Sequence, residues 1–197
     1  MRLFRRGEHA STLELLVAGL GNPGPKHARD RHNVGWMVID ELAHRHDATF
    51  KSKFNGRLGD ARIGEAKIAL IAPETYMNES GRSIAAAARY FKVAPEDVLV
   101  IHDDVDLDVG RLQARPGGGL AGHNGLRSIA QSLGTPEFLR LRVGVGRPGR
   151  GDPRDVADYV LAPFEAHEDR EAMVQRAADA VEVVVGEGLE EAQRRFN

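Results

Sequence analysis

The chain has 197 residues and a net charge of −2, and 42% of its residues are hydrophobic, so it can bury the core of one domain without disulfides or metal ions. It contains no cysteine, which excludes a disulfide framework, a thiolate nucleophile and a cysteine-ligated zinc site, and fits a reducing compartment. No apolar run reaches the roughly 20 residues that cross a bilayer, and the charged N-terminus does not resemble a secretory signal, so we expect a soluble, cytoplasmic protein.

Charge is unevenly divided along the chain. Residues 1–150 have a net charge of +5 and residues 151–197 one of −7. Guanidinium groups bind phosphate oxygens through paired hydrogen bonds, so a run of arginines is a candidate phosphate-binding face, although a solvated arginine surface is an equal alternative. The densest run is accompanied by one acid, Glu137, and comprises Arg111, Arg115, Arg127, Arg140, Arg142, Arg147 and Arg150.

Hydrophobic periodicity predicts that strands and helices alternate. Such alternation predicts a single-domain, three-layer α/β sandwich with a twisted, largely parallel but mixed central sheet flanked by helices, and ligands beyond the strand ends. Residues 1–13 are predicted to be a flexible extension and residues 14–197 a single α/β domain. The predicted strands are 14–20, 58–63, 66–72, 98–103, 111–115 and 139–145; the predicted helices are 35–46, 79–91, one after the glycines at 117–125, and a long C-terminal helix that Gly186 and Gly188 end.

The first predicted strand runs into the sequence Gly-Leu-Gly-Asn-Pro-Gly, residues 19–24. This matches the G-x-G-x-x-G pattern of dinucleotide-binding folds, which also requires an amphipathic helix directly after the turn and an acid at the end of the second strand. Residues 25–33 have no apolar face, and residues 50–54 read Phe-Lys-Ser-Lys-Phe. The sequence therefore disfavours a nucleotide cofactor. The turn instead leads to Arg31-His32-Asn33, which places a titratable ring beside an amide near a strand end.

A second polar cluster, Tyr76-Met77-Asn78, follows the strand predicted at 66–72. Two interpretations of Asn78 remain open from the sequence. Its side chain can cap the following helix, or its amide can donate to a carbonyl oxygen on which negative charge develops. In the second case Tyr76 and Met77 would form an apolar wall.

Four aspartates between residues 103 and 108 follow the apolar strand predicted at 98–103. An EF-hand loop counted from Asp104 needs glycine at its sixth position and glutamate at its twelfth, where the chain has Val109 and Arg115, so the pattern does not predict calcium binding. A carboxylate at the end of this strand can instead orient an imidazole and stabilise the imidazolium formed during proton transfer. Capping of a turn is the alternative for Asp104, Asp106 and Asp108.

The glycine-rich segment 117–125 contains His123 and Asn124 just before a predicted amphipathic helix. Glycines allow backbone amides to approach a ligand closely, although a plain flexible loop also explains them. The other histidines form no metal-ligand pattern, and no serine lies in a nucleophile elbow. Water is therefore the predicted attacking group.

Taken together, five motifs closely resemble those of bacterial peptidyl-tRNA hydrolases, and they occur in the same order from about residue 14 to the C-terminus. The resemblance implies a monomeric, metal-independent esterase without a cofactor, membrane association or obligate protein partner. Such an enzyme cleaves the bond between a peptide and the 3′ ribose of tRNA, and so recycles tRNA from prematurely released peptidyl-tRNA. The motifs are Gly-Leu-Gly-Asn-Pro-Gly, Arg-His-Asn, Tyr-Met-Asn-Glu-Ser-Gly, His-Asp-Asp-Val-Asp-Leu and Gly-Gly-Gly-Leu-Ala-Gly-His-Asn-Gly.

Matching these motifs residue by residue implies that His32 is the catalytic base and Asp103 its orienting partner. Asn22, Asn78 and Asn124 would position the substrate and water. An unshifted imidazole titrates near pH 6.5, so much of it is neutral and able to accept a proton in the cell. The predicted reaction is general-base hydrolysis through a tetrahedral oxyanion that one or more asparagine amides stabilise.

The resemblance also assigns residues to the two ends of the substrate. Met77 would help to line the peptide side, and His123 would belong to the substrate-binding loop. Arg115 and Arg142 would contact the phosphate of the tRNA acceptor stem. These arginines supply affinity for RNA, whereas a peptide of variable sequence must be bound through its backbone.

Two positions depart from the family pattern. His27 stands where an aromatic residue, commonly tyrosine, is usual, and Asp30 replaces the usual threonine. His27 puts the stacking contact with the substrate in question, although an imidazole can also stack on a base.

Two other classes of function are compatible with parts of the sequence. A noncatalytic RNA-binding domain would use the same arginines and glycine loop, but it gives no task to His32, Asp103 and Asn22. Turnover by catalytic amounts of protein separates this class from an esterase. A nucleotide-dependent oxidoreductase is disfavoured by the missing helix and acid, and would reveal itself through spectral changes with nicotinamide cofactors.

Overall fold

Seven strands form one sheet in the computed structural model, which describes residues 13–197. The predicted extension, residues 1–13, therefore lies outside the described residues except for Leu13. The strands are β1 (Leu15–Gly19), β2 (Lys51–Lys53), β3 (Gly56–Ile63), β4 (Ala66–Pro73), β5 (Val98–Asp104), β6 (Leu112–Pro116) and β7 (Leu139–Gly144). Their order across the sheet is β2-β3-β4-β1-β5-β7-β6.

The four central strands, β4, β1, β5 and β7, run parallel to one another. On one edge β3 pairs antiparallel with both β4 and β2, and on the other edge β6 pairs antiparallel with β7. Every residue of β1 and β5 is buried, as expected for strands that are covered on both faces. The predicted α/β fold with a mixed sheet and a parallel centre is confirmed.

Helices on the two faces of the sheet complete the three layers. Side chains of successive strand residues point to opposite faces. Val17 therefore lies in the core covered by α1 (Val34–Arg45) and α5 (Arg170–Glu187), whereas Leu16 lies in the core covered by α2 (Ser80–Phe91) and α3 (Asn124–Leu133). No helix within residues 13–197 is both long enough and apolar enough to span a membrane. The helices are α1 (Val34–Arg45), α2 (Ser80–Phe91), α3 (Asn124–Leu133), α4 (Val156–Val160), α5 (Arg170–Glu187) and α6 (Leu189–Phe196).

Three elements, β2, α4 and α6, are not predicted by the sequence pattern. The three residues of β2 are all exposed, and α4 is too short to contain a full apolar repeat. The prediction that Gly186 ends the long C-terminal helix is wrong, because α5 continues to Glu187. Gly188, with a φ of 97°, ends that helix as predicted, and α6 follows at once.

A close approach between β1 and α1 brings the polar turn at residues 31–33 over the sheet edge. A Cβ on Gly19 would lie 2.1 Å from the carbonyl oxygen of Gly35, and a Cβ on Gly35 would lie 2.3 Å from the nitrogen of Leu20. The Leu20 amide also donates to the carbonyl of Ile101 on β5, at 3.0 Å. Two glycines thus allow the start of α1, and with it His32, to sit directly against the carboxyl ends of β1 and β5.

We expect Gly35→Ala to destabilise the fold by about 1–3 kcal/mol, because the added methyl group has no space and the backbone must shift. The matched control is Gly186→Ala, since nothing lies within 4 Å of the added Cβ and alanine is favoured within a helix by about 0.5–1 kcal/mol. Urea unfolding followed by circular dichroism measures both changes. A Gly35→Ala variant as stable as the parent would contradict this account of the packing.

Candidate active site

A cavity of about 770 Å³ opens at the carboxyl ends of the central strands, which is where ligands bind in open α/β sheets. Helix α4 forms one of its walls through Val156, Ala157, Val160 and Leu161. The structure brings together eight residues that the sequence singles out: Asn22, His32, Tyr76, Met77, Asn78, Asp103, His123 and Asn124.

An imidazole and a carboxylate meet at the centre of this cavity. His32 lies in a 3₁₀ turn, Arg31–Asn33, and its Nδ1 is 2.8 Å from Oδ1 of Asp103 on β5. An ionised carboxylate only accepts hydrogen bonds, so Nδ1 carries the proton and Nε2 of His32 is left with a free lone pair. This arrangement is the one that a general base requires.

Opposing effects act on the pKa of His32. Burial lowers it, but the charge and the hydrogen bond of Asp103, together with the charge of Asp30, outweigh burial and raise the pKa above its ordinary value of 6.5. Burial alone would raise the pKa of Asp103, but the neighbouring His32 and His123 hold it far below its usual range. Asp103 is therefore ionised at neutral pH, and it makes His32 a stronger base.

A second imidazole binds the same carboxylate oxygen. Nε2 of His123 is 3.0 Å from Oδ1 of Asp103, and its Nδ1 accepts hydrogen bonds from the backbone amides of Gly125 and Leu126 at 3.1 and 3.4 Å. His123 is thus the N-cap of α3, a position at which serine, threonine, aspartate and asparagine are usual. Its Nδ1 must be unprotonated to accept these bonds, so Nε2 donates to Asp103.

Hydrogen bonds fix every polar group of Asn22 except its side-chain nitrogen, Nδ2. Its backbone nitrogen and oxygen each form a 2.9 Å hydrogen bond with the side chain of Asn33. Its Oδ1 accepts from the backbone amide of Met77, also at 2.9 Å. Because Oδ1 is occupied, Nδ2 of Asn22 is the group left to donate to a ligand.

The Tyr76-Met77-Asn78 segment forms the edge of the cavity next to Asn22. Met77 is buried, whereas Tyr76 is 63% exposed and Asn78 is also exposed. No side chain makes a capping hydrogen bond at the start of α2 or of the 3₁₀ turn before it. The interpretation of Asn78 as a helix cap is therefore wrong, and its amide is available to a ligand.

Arg115 and Arg142 lie outside this cavity, in a smaller one of about 260 Å³ beside it. The two cavities share three lining residues, His102, Asp104 and Ala121. Arg142 donates through Nε to Oδ2 of Asp104 at 2.7 Å. The other carboxylate oxygen of Asp104, Oδ1, accepts from the backbone amide of Asp106 at 2.9 Å. Asp104 thus caps a turn, one of the two roles that the sequence suggests for it.

One member of the arginine run, Arg140, makes its contacts within the protein, although it also lines the smaller cavity. The Arg140 side chain is buried, and it donates to the backbone carbonyls of Gly118 and Gly119 at 2.8 and 2.7 Å and to that of Pro136 at 3.2 Å. Its guanidinium also lies 4.7 Å from the Phe138 ring. Arg140 therefore fixes the shape of the glycine loop.

The two positions that depart from the family pattern contact each other. Nδ1 of His27 lies 2.5 Å from Oδ2 of Asp30, and neither side chain lines the two cavities described above.

Helix α1 begins only at Val34, and a 3₁₀ turn, Pro25–His27, follows the glycine turn. The helix that a dinucleotide site requires is thus missing, as the sequence indicates.

Two residues near the site have roles that the sequence reasoning missed. His102 lines both cavities; its Nδ1 donates to the carbonyl of Asp103 at 2.7 Å, and its Nε2 has no partner among the described residues. Burial and the nearby His123 hold the pKa of His102 well below its ordinary value. The second residue is Arg31, which is fully buried beside His32. In the sequence, its position next to the candidate base is the one signal that could have identified it.

The ligand atoms of His32, Asp103 and His123 lie within 4.8 Å of one another, close enough to hold a metal ion. The sequence did not indicate this group, because its members are separated by 20 to 91 positions. Hydrogen bonds already satisfy the facing atoms, since both imidazoles donate to the same carboxylate oxygen. The trio therefore forms a complete hydrogen-bonded unit as it stands.

Comparison with known proteins gives one consistent result. The family model described as peptidyl-tRNA hydrolase matches residues 16–197. A peptidyl-tRNA hydrolase of Mycobacterium sp. (strain KMS) is 50% identical over 184 residues, which cover 91% of this chain and 94% of that protein. One of Symbiobacterium thermophilum is 48% identical over 187 residues, covering 92% and 98%. The crystal structure of the Acinetobacter baumannii peptidyl-tRNA hydrolase has a TM-score of 0.85 at 34% identity, covering 97% and 99%.

We expect Asp103→Asn to lower the pKa of His32. The substitution removes the negative charge and leaves only a neutral amide oxygen as acceptor, so burial dominates and the imidazole loses its proton at lower pH. NMR titration of the His32 ring nitrogens measures the change. Asp106→Asn is the matched control, because Asp106 accepts from Arg147 and should leave the His32 titration unchanged. An unaltered His32 pKa in Asp103→Asn would show that Asp103 does not set it.

Proposed function

The chain belongs to the peptidyl-tRNA hydrolase family, and from that premise we propose that it hydrolyses the ester bond between a peptide, or an N-blocked aminoacyl group, and the 3′ ribose of tRNA. The observation that carries the proposal is the orientation of His32 by Asp103 inside a cavity that adjoins a cluster of arginines. The product tRNA is thereby recycled from prematurely released peptidyl-tRNA.

In the proposed mechanism Nε2 of His32 takes a proton from water as the water oxygen attacks the ester carbonyl carbon. A tetrahedral oxyanion forms, and the bond from the former carbonyl carbon to the 3′ oxygen then breaks. The imidazolium returns the proton to the departing 3′ oxygen, which leaves free tRNA and a peptide acid. Asp103 stabilises the imidazolium between these steps, which is the role its negative charge fits.

Asparagine amides stabilise the oxyanion in this proposal. Nδ2 of Asn22 is a suitable donor because hydrogen bonds fix the rest of that residue, so little reorganisation is needed when charge develops. The exposed amides of Asn78 and Asn124, on the same cavity, bind the substrate and position water. Tyr76, Met77 and His123 complete the contacts to the peptide and the 3′ end, and His27 is proposed to contact the substrate from outside the cavity.

The RNA side of the substrate is proposed to extend into the smaller cavity. The two cavities adjoin, since they share three lining residues, and Arg115 and Arg142 line the smaller one. Guanidinium groups there would bind an acceptor-stem phosphate. Arg142 can do so while its Nε remains paired with Asp104 and its Nη1 with Gln113, because its Nη2 is left to donate.

We also propose that hydrolysis needs no metal ion, since the His32–Asp103 pair itself supplies the base. The substrate is a product of translation, which places the proposed enzyme in the cytoplasm. Because the proposed site is built from residues of one chain, we propose that the protein acts as a monomer without an obligate partner. Residues 14–197 are proposed to contain the whole catalytic domain.

We expect the protein to release tRNA from N-acetyl-aminoacyl-tRNA in the presence of EDTA, and His32→Gln to lower kcat by about 10²- to 10⁴-fold. The glutamine fills a similar space but cannot accept the proton. Release is measured by gel separation of acylated and free tRNA under multiple-turnover conditions. His44→Gln, an exposed histidine on α1, is the matched control and should retain full activity.

Full activity in a folded His32→Gln variant would exclude the proposed base. A protein that binds tRNA without turnover would instead be the noncatalytic RNA-binding domain considered from the sequence. Activity that EDTA abolishes and that added zinc restores would contradict the proposed metal independence.

We expect Arg115→Ala to weaken tRNA binding and to make the slope of log Kd against log salt shallower by about 0.7 to 0.9, the contribution of one lost phosphate contact. Hydrolysis of a short ester mimic without the acceptor stem should be nearly unchanged, because Arg115 does not line the cavity of His32. Arg62→Ala, on β3 near the other edge of the sheet, is the control. An unchanged salt slope in Arg115→Ala would count against the phosphate contact.

A further inference from the structure

Arg31 is a fully buried cation that binds the segment following α4. Its Nη1 donates to the carbonyl of Pro163 at 2.5 Å, and its Nη2 donates to Oε2 of Glu168 at 2.7 Å. The backbone amide of Arg31 donates to the carbonyl of Ala162 at 3.0 Å, and Asp30 forms a β-bridge with Pro163. Residues 162–168 are therefore attached to the turn that carries His32.

The same guanidinium contacts α4 itself. Its central carbon lies 4.2 Å from the centre of the Tyr159 ring, a cation–π contact in a buried environment. The Tyr159 hydroxyl donates to the carbonyl of Val145, beyond the end of β7, at 3.0 Å. Tyr159 thus attaches α4 to the body of the protein, while its neighbours Val156 and Val160 line the cavity.

His32 is held by other contacts on the opposite side of its turn. Asp103 binds its ring, and the side chain of Asn33 forms two hydrogen bonds with the backbone of Asn22. None of these contacts involves Arg31. Loss of the Arg31 side-chain contacts would therefore loosen α4, which keeps the hydrogen bond from Tyr159 to Val145, and leave His32 in place.

We propose that Arg31 is a positioning residue that docks α4 onto the turn carrying His32, and so fixes the apolar wall of the cavity at the distance that the substrate requires. This inference rests on the proposed function only for the identity of the substrate. The guanidinium does not line the cavity, and it acts through α4.

The test substitution is Arg31→Lys. An ammonium group keeps the charge, but it lacks the planar fork that reaches Pro163 and Glu168 together while stacking on Tyr159. We expect KM for N-acetyl-aminoacyl-tRNA to rise by about tenfold and kcat to change by less than about threefold, the pattern of lost binding without lost chemistry. The pH midpoint of kcat should not move, and amides of residues 156–161 should exchange hydrogen faster.

Two further variants separate this role from general destabilisation. Arg45→Lys is the matched control, because Arg45 binds Glu41, Asp179 and Glu182 between α1 and α5 and should leave KM unchanged. Tyr159→Leu cuts the same contact from the α4 side, and it keeps the proposal testable if Arg31→Lys does not fold. It should raise KM similarly, and the double variant should show less than the product of the single effects.

A KM within twofold of the parent in both Arg31→Lys and Tyr159→Leu would overturn the proposal. A fall in kcat at constant KM would also overturn the proposal. Arg31 would then affect the catalytic base or the fraction of active protein, and not the binding of substrate. If the parent protein itself does not hydrolyse the substrate, the proposed function fails. Hydrogen exchange of residues 156–161 then decides the docking role alone, and unchanged exchange in Arg31→Lys would reject it.

Discussion

The site depends on one carboxylate oxygen that accepts hydrogen bonds from two imidazoles. Oδ1 of Asp103 lies 2.8 Å from Nδ1 of His32 and 3.0 Å from Nε2 of His123. These residues come from the turn before α1, the end of β5 and the start of α3. One atom thus joins three parts of the chain, and it also decides which nitrogen of each ring carries a proton.

That arrangement explains how a buried charge is tolerated. A carboxylate removed from water is costly unless donors replace the lost hydration. Two N–H groups do so here, and their effect keeps the pKa of Asp103 low despite burial. The same charge raises the pKa of His32, whereas burial and the nearby His123 lower the pKa of His102, whose Nδ1 donates to a backbone carbonyl. His32 and His102 therefore differ in basicity although both lie beside Asp103.

Much of this site could be predicted from the sequence, because its parts stand at the ends of strongly apolar strands. The runs at β1 and β5 fix two adjacent parallel strands, and polar residues just after such strands must meet at one edge of the sheet. Asn22 and one of the carboxylates at residues 103–108 are placed in this way, whereas the choice of Asp103 among them came from the resemblance to the family motifs. Local pattern does not specify which side chains pair across long separations, so the double contact of Asp103 and the pairing of His27 with Asp30 came only from the structure.

The other features that the sequence does not predict, the burial of Arg140 and the position of α4, share a physical reason. Arg140 reads as part of a basic surface, but its burial depends on loop carbonyl groups that lie 21 and 22 residues before it in the chain, which no periodicity reveals. Helix α4 has five residues, fewer than two turns, and a helix that short is stabilised by its tertiary contacts and not by propensity. Its position was therefore not readable from its own sequence.

The cavity is consequently built in two ways. The side that carries His32 and Asp103 continues directly from the sheet, so backbone hydrogen bonds between β1 and β5 hold it. The opposite side, α4, is joined to that turn through side-chain contacts of Arg31 and Tyr159. Local stability follows the density of buried contacts, so the position of α4 depends strongly on these few side chains, whereas the His32–Asp103 pair is held by the sheet itself.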